Sequence, residues 1–246
     1  ADITRARRAG KLAIAFDLEG MNSLNGDVNM VNVYYELGVR QMLFAYNLNN
    51  LAGGGCHDGN EGLTAFGRAV IKEMNRVGMM VDCSHTAYRT TMEAMEASAA
   101  PVIFSHSCAK AIHGHGRNIV DEQIKACART GGVVGVNGVS MFLGENDITS
   151  KTFVDHVAHM AGLVGAEHVG IALDYAFDAD KVDDLVEGNG AYWPESAGYG
   201  RHPTSYVPPK QLREITETMV RRGFKDREIL GILGGNFMRV ASAVWK

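Results

Sequence analysis

The sequence predicts an α/β protein with a parallel sheet, built as a single barrel-sized domain. Three observations lead there. Short apolar runs alternate with helix-patterned stretches, the order that parallel strands and right-handed crossovers require. The apolar runs are near-continuous, as strands covered on both faces must be. A length of 246 residues suits one α/β barrel.

The strands are read in order at residues 11–18 (KLAIAFDL), 40–46 (RQMLFAY), 79–83 (MMVDC), 101–105 (PVIFS), 132–137 (GVVGVN) and 168–173 (HVGIAL). Between them, residues 63–77 place Phe66, Val70, Met74 and Val77 on one helical stripe. Residues 86–98 are rich in Met and Ala, and residues 121–129 open on an acidic pair that suits a helix N-terminus. Residues 152–164 and 208–222 read as helices too, and 226–233 and 236–245 close the chain as two more. Residues 177–207 lack periodicity and read as an active-site loop or an insertion. No repeat, low-complexity tract or linker divides residues 1–246, so one domain is expected.

Composition removes whole classes of function. With 46% apolar and 21% charged residues the chain is not disordered. Its net charge of −4, with no basic stripe, argues against a nucleic-acid partner. No apolar run reaches the roughly 18 residues of a membrane span. Four cysteines, at 56, 83, 108 and 127, form no C-x-x-C pair and no disulfide framework, so reduced thiols are expected. The chain begins at Ala1, and its first ten residues carry no apolar stretch of the signal-peptide kind. The compartment stays open, with the cytoplasm favoured.

What ends each run carries the chemistry. The six runs end at Glu19, at Tyr46-Asn47, at Asp82 through His85, at Ser105-His106-Ser107, at Asn137 and at Asp174. In a barrel these carboxyl ends converge on the face that holds the active site. Glu, two His and Asp are ligands for a borderline divalent ion such as zinc, and a carboxylate can bridge two ions. Rival clusters are weaker. His113 and His115 follow no strand and read as a loop feature, and Cys56-His57 sits in the Gly-rich loop 52–59. Asp155, His156 and His159 share a helix and read as a solvated face, and the Met residues at 74, 79, 80, 92 and 95 read as core. No G-x-S-x-G, Walker loop or G-x-G-x-x-G after a strand is present.

The motifs resemble one family. They are RARRAGKLA from Arg5, Leu18-Glu19-Gly20, YELGVR from Tyr35, GLTAFG from Gly62 and EMNRVGMMVD from Glu73 with Ser84-His85. APVIFSHS from Ala100, Arg117-Asn118, Asp155-His156, Val169-Gly170 with Asp174, and GNFMRV from Gly235 follow in order. Together they resemble the renal (membrane) dipeptidase family of zinc metallopeptidases across nearly the whole chain. The resemblance implies a (β/α)8 TIM-type barrel of the metal-dependent hydrolase kind that cleaves dipeptides at a two-zinc centre. It implies that Glu19 bridges both Zn2+ ions, that His85 and His106 ligate the second, and that Arg117 pairs with the substrate carboxylate. It implies that Asp174 meets the substrate amino group and serves the leaving amine.

Two departures from the family pattern shape the expectation. The family's first strand carries an H-x-D pair that completes the first zinc site, and no His precedes Glu19 here. With six strands counted, the barrel is expected to be incomplete, about six strands of eight, lacking its N-terminal part. Tyr46 stands where the family commonly has His, so a phenol takes over hydrogen bonding to the scissile carbonyl. The expected function is a binuclear zinc dipeptidase. The alternatives are a catalytically inactive remnant with at most one metal site, and a related amidase or lactam hydrolase. A dipeptide is the expected partner, and a homodimer is the assembly considered.

Overall fold

Six parallel strands form where the apolar runs fall. In the computed structural model, which describes residues 2–246, they are β1 (Phe16–Glu19), β2 (Val39–Leu43), β3 (Met80–Asp82), β4 (Val102–Ile103), β5 (Val134–Asn137) and β6 (Val169–Ala172). One sheet runs β1-β2-β3-β4 and a second pairs β5 with β6, every pairing parallel. A parallel bridge between Phe104 and Val134 joins the two, so the six strands follow one another in chain order. Among the described residues, β1 and β6 have no further neighbour.

Eleven α-helices accompany the strands among the described residues. They are α1 (Asp2–Arg8), α2 (Met30–Glu36), α3 (Ala65–Val77), α4 (Tyr88–Ala97), α5 (Asp121–Arg129) and α6 (Ser140–Leu143), then α7 (Ser150–Val164), α8 (Ala179–Gly188), α9 (Leu212–Arg221), α10 (Asp226–Leu230) and α11 (Asn236–Val244). The helix α3 shows why these segments form. Thr64 Oγ1 accepts from the Gly67 N–H at 3.0 Å and caps its start. Val70, Ile71, Met74 and Val77 then bury one stripe, each side chain contributing about 1.5–3 kcal/mol. The core runs from Met21 to Ile232, and a smaller cluster of Met80, Ile103 and Val133 lies under α11.

Three expectations change in detail. The first strand begins only at Phe16; residues 11–15 are exposed and unpaired, and Leu12 keeps 85% of its surface in solvent. The stretch 177–207 holds a helix, α8, whose start is capped by the Asp178 carboxylate accepting from the Lys181 N–H. The face carrying His156 is not solvated. That ring is fully buried, Nδ1 accepting from the Ala109 N–H at 3.0 Å and Nε2 bonded to the Leu143 carbonyl at 2.9 Å. The Met residues at 74, 79, 80 and 95 are core as read, and all four cysteines are free.

Candidate metal centre

The strand ends do meet. Glu19 is the last residue of β1, His85 lies three residues past β3, and His106 three past β4. Their ligand atoms all lie within 4.8 Å of one another. His85 Nε2 is 2.9 Å from His106 Nε2, which is 3.4 Å from Glu19 Oε1. Among the described residues this is the only such group of three. The turns that aim these side chains are strained. Asn47, His85 and Asp174 have φ of +62°, +60° and +52°, a left-handed conformation that costs a non-glycine residue about 1–2 kcal/mol. Their concentration at one end of the sheet is the pattern of a functional site.

The hydrogen bonds around the two imidazoles fix their tautomers. Asn47 Nδ2 donates to the Tyr192 carbonyl, so Asn47 Oδ1 faces His85 Nδ1 at 2.7 Å and must accept from it. Ser105 Oγ donates its one proton to the Asp82 carboxylate, so its 2.7 Å contact with His106 Nδ1 is one in which the ring donates. Both Nε2 atoms therefore carry bare lone pairs, pointed at each other across 2.9 Å. Such a contact is repulsive unless a cation lies between the rings. The separations of 2.9 and 3.4 Å straddle the about 3.3 Å between ligand atoms of a tetrahedral zinc. Two imidazoles and a carboxylate are a zinc donor set, so the residues fit the ion.

Electrostatics agree. Burial holds the His85 pKa well below its ordinary value, with Arg117 adding to the effect, so the ring is neutral and free to ligate. Desolvation in the crowded mouth of the sheet raises the Glu19 pKa although 39% of its side chain meets solvent. Asp174 and Asp82 reinforce that rise, while His106 and Arg117 oppose it. A divalent ion would relieve the same crowding.

The other site residues surround this centre. Tyr46 stacks on the His85 ring, centroids 4.0 Å apart, and its hydroxyl accepts from Trp193 Nε1 at 3.3 Å. Burial raises its pKa, so the phenol stays protonated. Asn137 Nδ2 donates to Asp174 Oδ2 at 2.9 Å. A cavity of about 280 Å³ opens beside Tyr46, His85 and Asp174. Arg117 lines a different cavity, of about 480 Å³. It is 3% exposed, donates to the His106 carbonyl at 2.8 Å and to Ser107 Oγ at 3.1 Å, and leaves Nε without a partner. No carboxylate among the described residues lies within ion-pair distance of it.

Sequence reading did not single out Asn47, Asp82, Ser105 or Trp193 for these roles. Asn47 and Asp82 stood at strand ends, but only the fold shows which ring each one touches. His113 and His115 lie in a loop as read, and His57 contacts Tyr199 through Nε2 at 2.9 Å rather than joining a metal cluster.

Comparison with known proteins follows from this geometry. The sequence profile of membrane dipeptidase (Peptidase family M19) matches residues 1–188. An uncharacterised dipeptidase of Schizosaccharomyces pombe is 34% identical over 254 residues, covering 99% of this chain and 55% of the relative. Dipeptidase 3 of Rattus norvegicus is 31% identical over 239 residues, covering 94% of this chain and 44% of the relative. The chain thus spans about half the length of the curated relatives it matches. Among solved structures, an amidohydrolase from Pseudomonas aeruginosa superposes with a TM-score of 0.85 at 32% identity, over 99% of this chain and 76% of that one. A metallo peptidase from Rhodobacter sphaeroides, solved with a phosphinate mimic of L-Ala-D-Ala, has a TM-score of 0.79 at 22% identity, over 99% and 67% of the two chains. At that identity the second likeness concerns the fold.

Proposed function

The chain belongs to the membrane dipeptidase family, and from that premise we propose that it carries the site of a zinc-dependent hydrolase of dipeptides. The observation that carries this reading is the convergence of Glu19, His85 and His106 with both imidazole lone pairs turned inward. Zinc held by these three supplies, when bound, a Lewis acid that polarises a carbonyl and acidifies water toward a pKa of about 7. The remaining work falls to this chain's own side chains. Asp174, oriented by Asn137, receives the substrate ammonium, takes up the proton that the attacking water releases and passes it to the leaving amine. Tyr46 accepts from Trp193, which leaves its own O–H free to donate to a developing oxyanion. Arg117 is a buried guanidinium without an anionic partner, suited to a free terminal carboxylate. That need for a carboxylate favours dipeptides over simple amides or lactams.

A second reading is a non-catalytic remnant, and a specific observation supports it. Glu19, His85 and His106 form one cluster, enough for one ion, and the described residues hold no second group of three such ligands. Metal analysis beside a dipeptide hydrolysis assay separates the two. Two zinc ions per chain with turnover that Glu19→Ala abolishes supports the binuclear enzyme, in which Glu19 would be one of the residues that hold zinc. One zinc without turnover supports the remnant, and turnover surviving Glu19→Ala would sink the assignment of this centre. We propose a homodimer as the assembly to test alongside. No helix among the described residues is long and apolar enough to cross a membrane.

A further inference from the structure

We propose that the cavity beside Asp174 receives the side chain of the substrate's amino-terminal residue and selects a large apolar one. The inference rests on the dipeptidase reading and adds a substrate class to it. The cavity, about 280 Å³, is lined by two unlike sets of residues. Tyr46, His85 and Asp174 belong to the candidate centre and its surroundings. Met141, Phe142, Val182, Leu185, Val186 and Tyr206 supply an apolar lining.

Its chemistry is one-sided. Asp174 is the only carboxylate on the lining, and no lysine or arginine reaches it. A dipeptide ammonium anchored at Asp174 therefore projects its own side chain, not that of the second residue, toward the apolar lining. Arg117, the group suited to the carboxylate end, borders the other cavity. An aliphatic or aromatic side chain would displace water from Leu185, which is 52% exposed, and from the half-buried Met141 and Val182. An acidic side chain would lose its hydration, find no cation, and lie near Asp174.

The lining is a built feature. The α8 helix carries Val182, Leu185 and Val186 on one side, and the Asp183 carboxylate accepts from the Thr204 N–H at 3.1 Å. That bond ties the helix to the segment bearing Tyr206, which itself bridges to Val139 beside Met141 and Phe142. Residues 175–206 thus hold much of the apolar lining in place.

The test is calorimetric titration of the zinc-loaded chain with the non-hydrolysable phosphinate analogues of leucylglycine, glycylglycine, glycylleucine and glutamylglycine, on wild type and Leu185→Asp. The leucylglycine analogue is expected to bind at least about 10-fold more tightly than that of glycylglycine, a difference that one apolar side chain in a pocket supplies. The glycylleucine analogue should lack that gain, and that of glutamylglycine should bind most weakly. Leu185→Asp, at an exposed position outside the catalytic groups, should collapse the ratio of leucylglycine to glycylglycine affinity toward one. Binding of all four analogues with equal affinity, or a preference that follows the second residue, overturns the subsite while leaving the dipeptidase reading intact. Failure of every analogue to bind overturns both.

Discussion

At His85 a single hydrogen bond decides which ring nitrogen is available. Asn47 Oδ1 accepts from Nδ1 at 2.7 Å, and the opposite nitrogen is left bare toward His106. Asn47 itself is held by its amide on the Tyr192 carbonyl and sits at φ +62°, a conformation that Asn and Asp tolerate better than other side chains. Removing the acceptor frees the imidazole to adopt the other tautomer and to rotate. Asn47→Ala is therefore expected to weaken zinc affinity about 10- to 100-fold, the usual cost of losing a partner behind a metal-binding His. Asn47→Asp keeps an acceptor on Nδ1 while losing the Tyr192 bond, so recovery of affinity in that variant assigns the effect to the tautomer. Competition against a chromophoric chelator measures both. Zinc affinity of wild-type strength in Asn47→Ala would remove Asn47 from the centre.

The loop between β2 and α3 shows how an element without regular structure can hold a site. Gly55 pairs with Thr86, the Cys56 N–H donates to the His85 carbonyl at 2.9 Å, and the His57 N–H donates to the Asn47 carbonyl at 2.8 Å. The loop is thus stitched to the ends of β2 and β3, which position the His85 ring. A methyl group at Gly55 would sit 2.2 Å from the carbonyl carbon of Asn47, and backbone cannot swing aside as a long side chain can. Gly55→Ala should lower stability by about 1–3 kcal/mol and weaken zinc binding along with it. Gly114→Ala, where a methyl group meets nothing within 4 Å, is the matched control and should change neither. Denaturant melts with the same chelator competition read both quantities; a Gly55→Ala protein as stable and as tight as wild type would show the loop to be incidental. The elements legible in the sequence are those with a strong period. All six strands appeared as apolar runs, and α5 fell where its acidic pair placed it. Four helices, α1, α2, α6 and α8, were not legible, and for different reasons: α1 buries no side chain and α6 has only four residues. The α2 helix is seven residues long, lacks a capping side chain and buries only Val31 and Tyr35. The α8 helix buries only Val186, so its apolar residues serve a cavity wall rather than a core stripe, although Asp178 was a capping signal. In the site, strand-end position pointed to Glu19, His85 and His106, but the partners of the rings depend on neighbouring strands. That neighbourhood is a property of the sheet and not of any segment.

At the scale of the whole molecule, the carboxyl ends of the sheet gather imidazoles into a poorly hydrated layer, and folding must keep them neutral. Burial lowers the pKa of His57 and of His115 to about 4 each, with the like charges of neighbouring His and Arg117 acting in the same direction, and burial lowers that of His156 as well. In the unfolded chain these rings titrate near 6.5. The sign follows from proton counts. Between pH 6.5 and pH 4 the unfolded chain binds protons that the folded chain refuses, so stability falls as the pH drops through that window. Above pH 6.5 neither state binds them and the effect vanishes. Each ring that charges fully only on unfolding contributes a slope of about 1.4 kcal/mol per pH unit. Partial hydration around the half-buried His57 reduces its share. Against a total of about 5–15 kcal/mol for a domain, even a fraction of that slope is a large loss. The zinc-free protein, kept so by a chelator, is expected to show a melting temperature that is flat from pH 8 to 7 and then declines steadily to pH 5. His57→Gln, which retains a side chain able to bond Tyr199 but cannot titrate, should flatten part of the decline. Thermal melts at half-unit pH steps on both proteins measure the difference. A wild-type midpoint that does not move between pH 7 and 5 would mean that the folded layer takes up protons as readily as the unfolded chain does. The imidazoles would then be open to water, contrary to their burial in the structure.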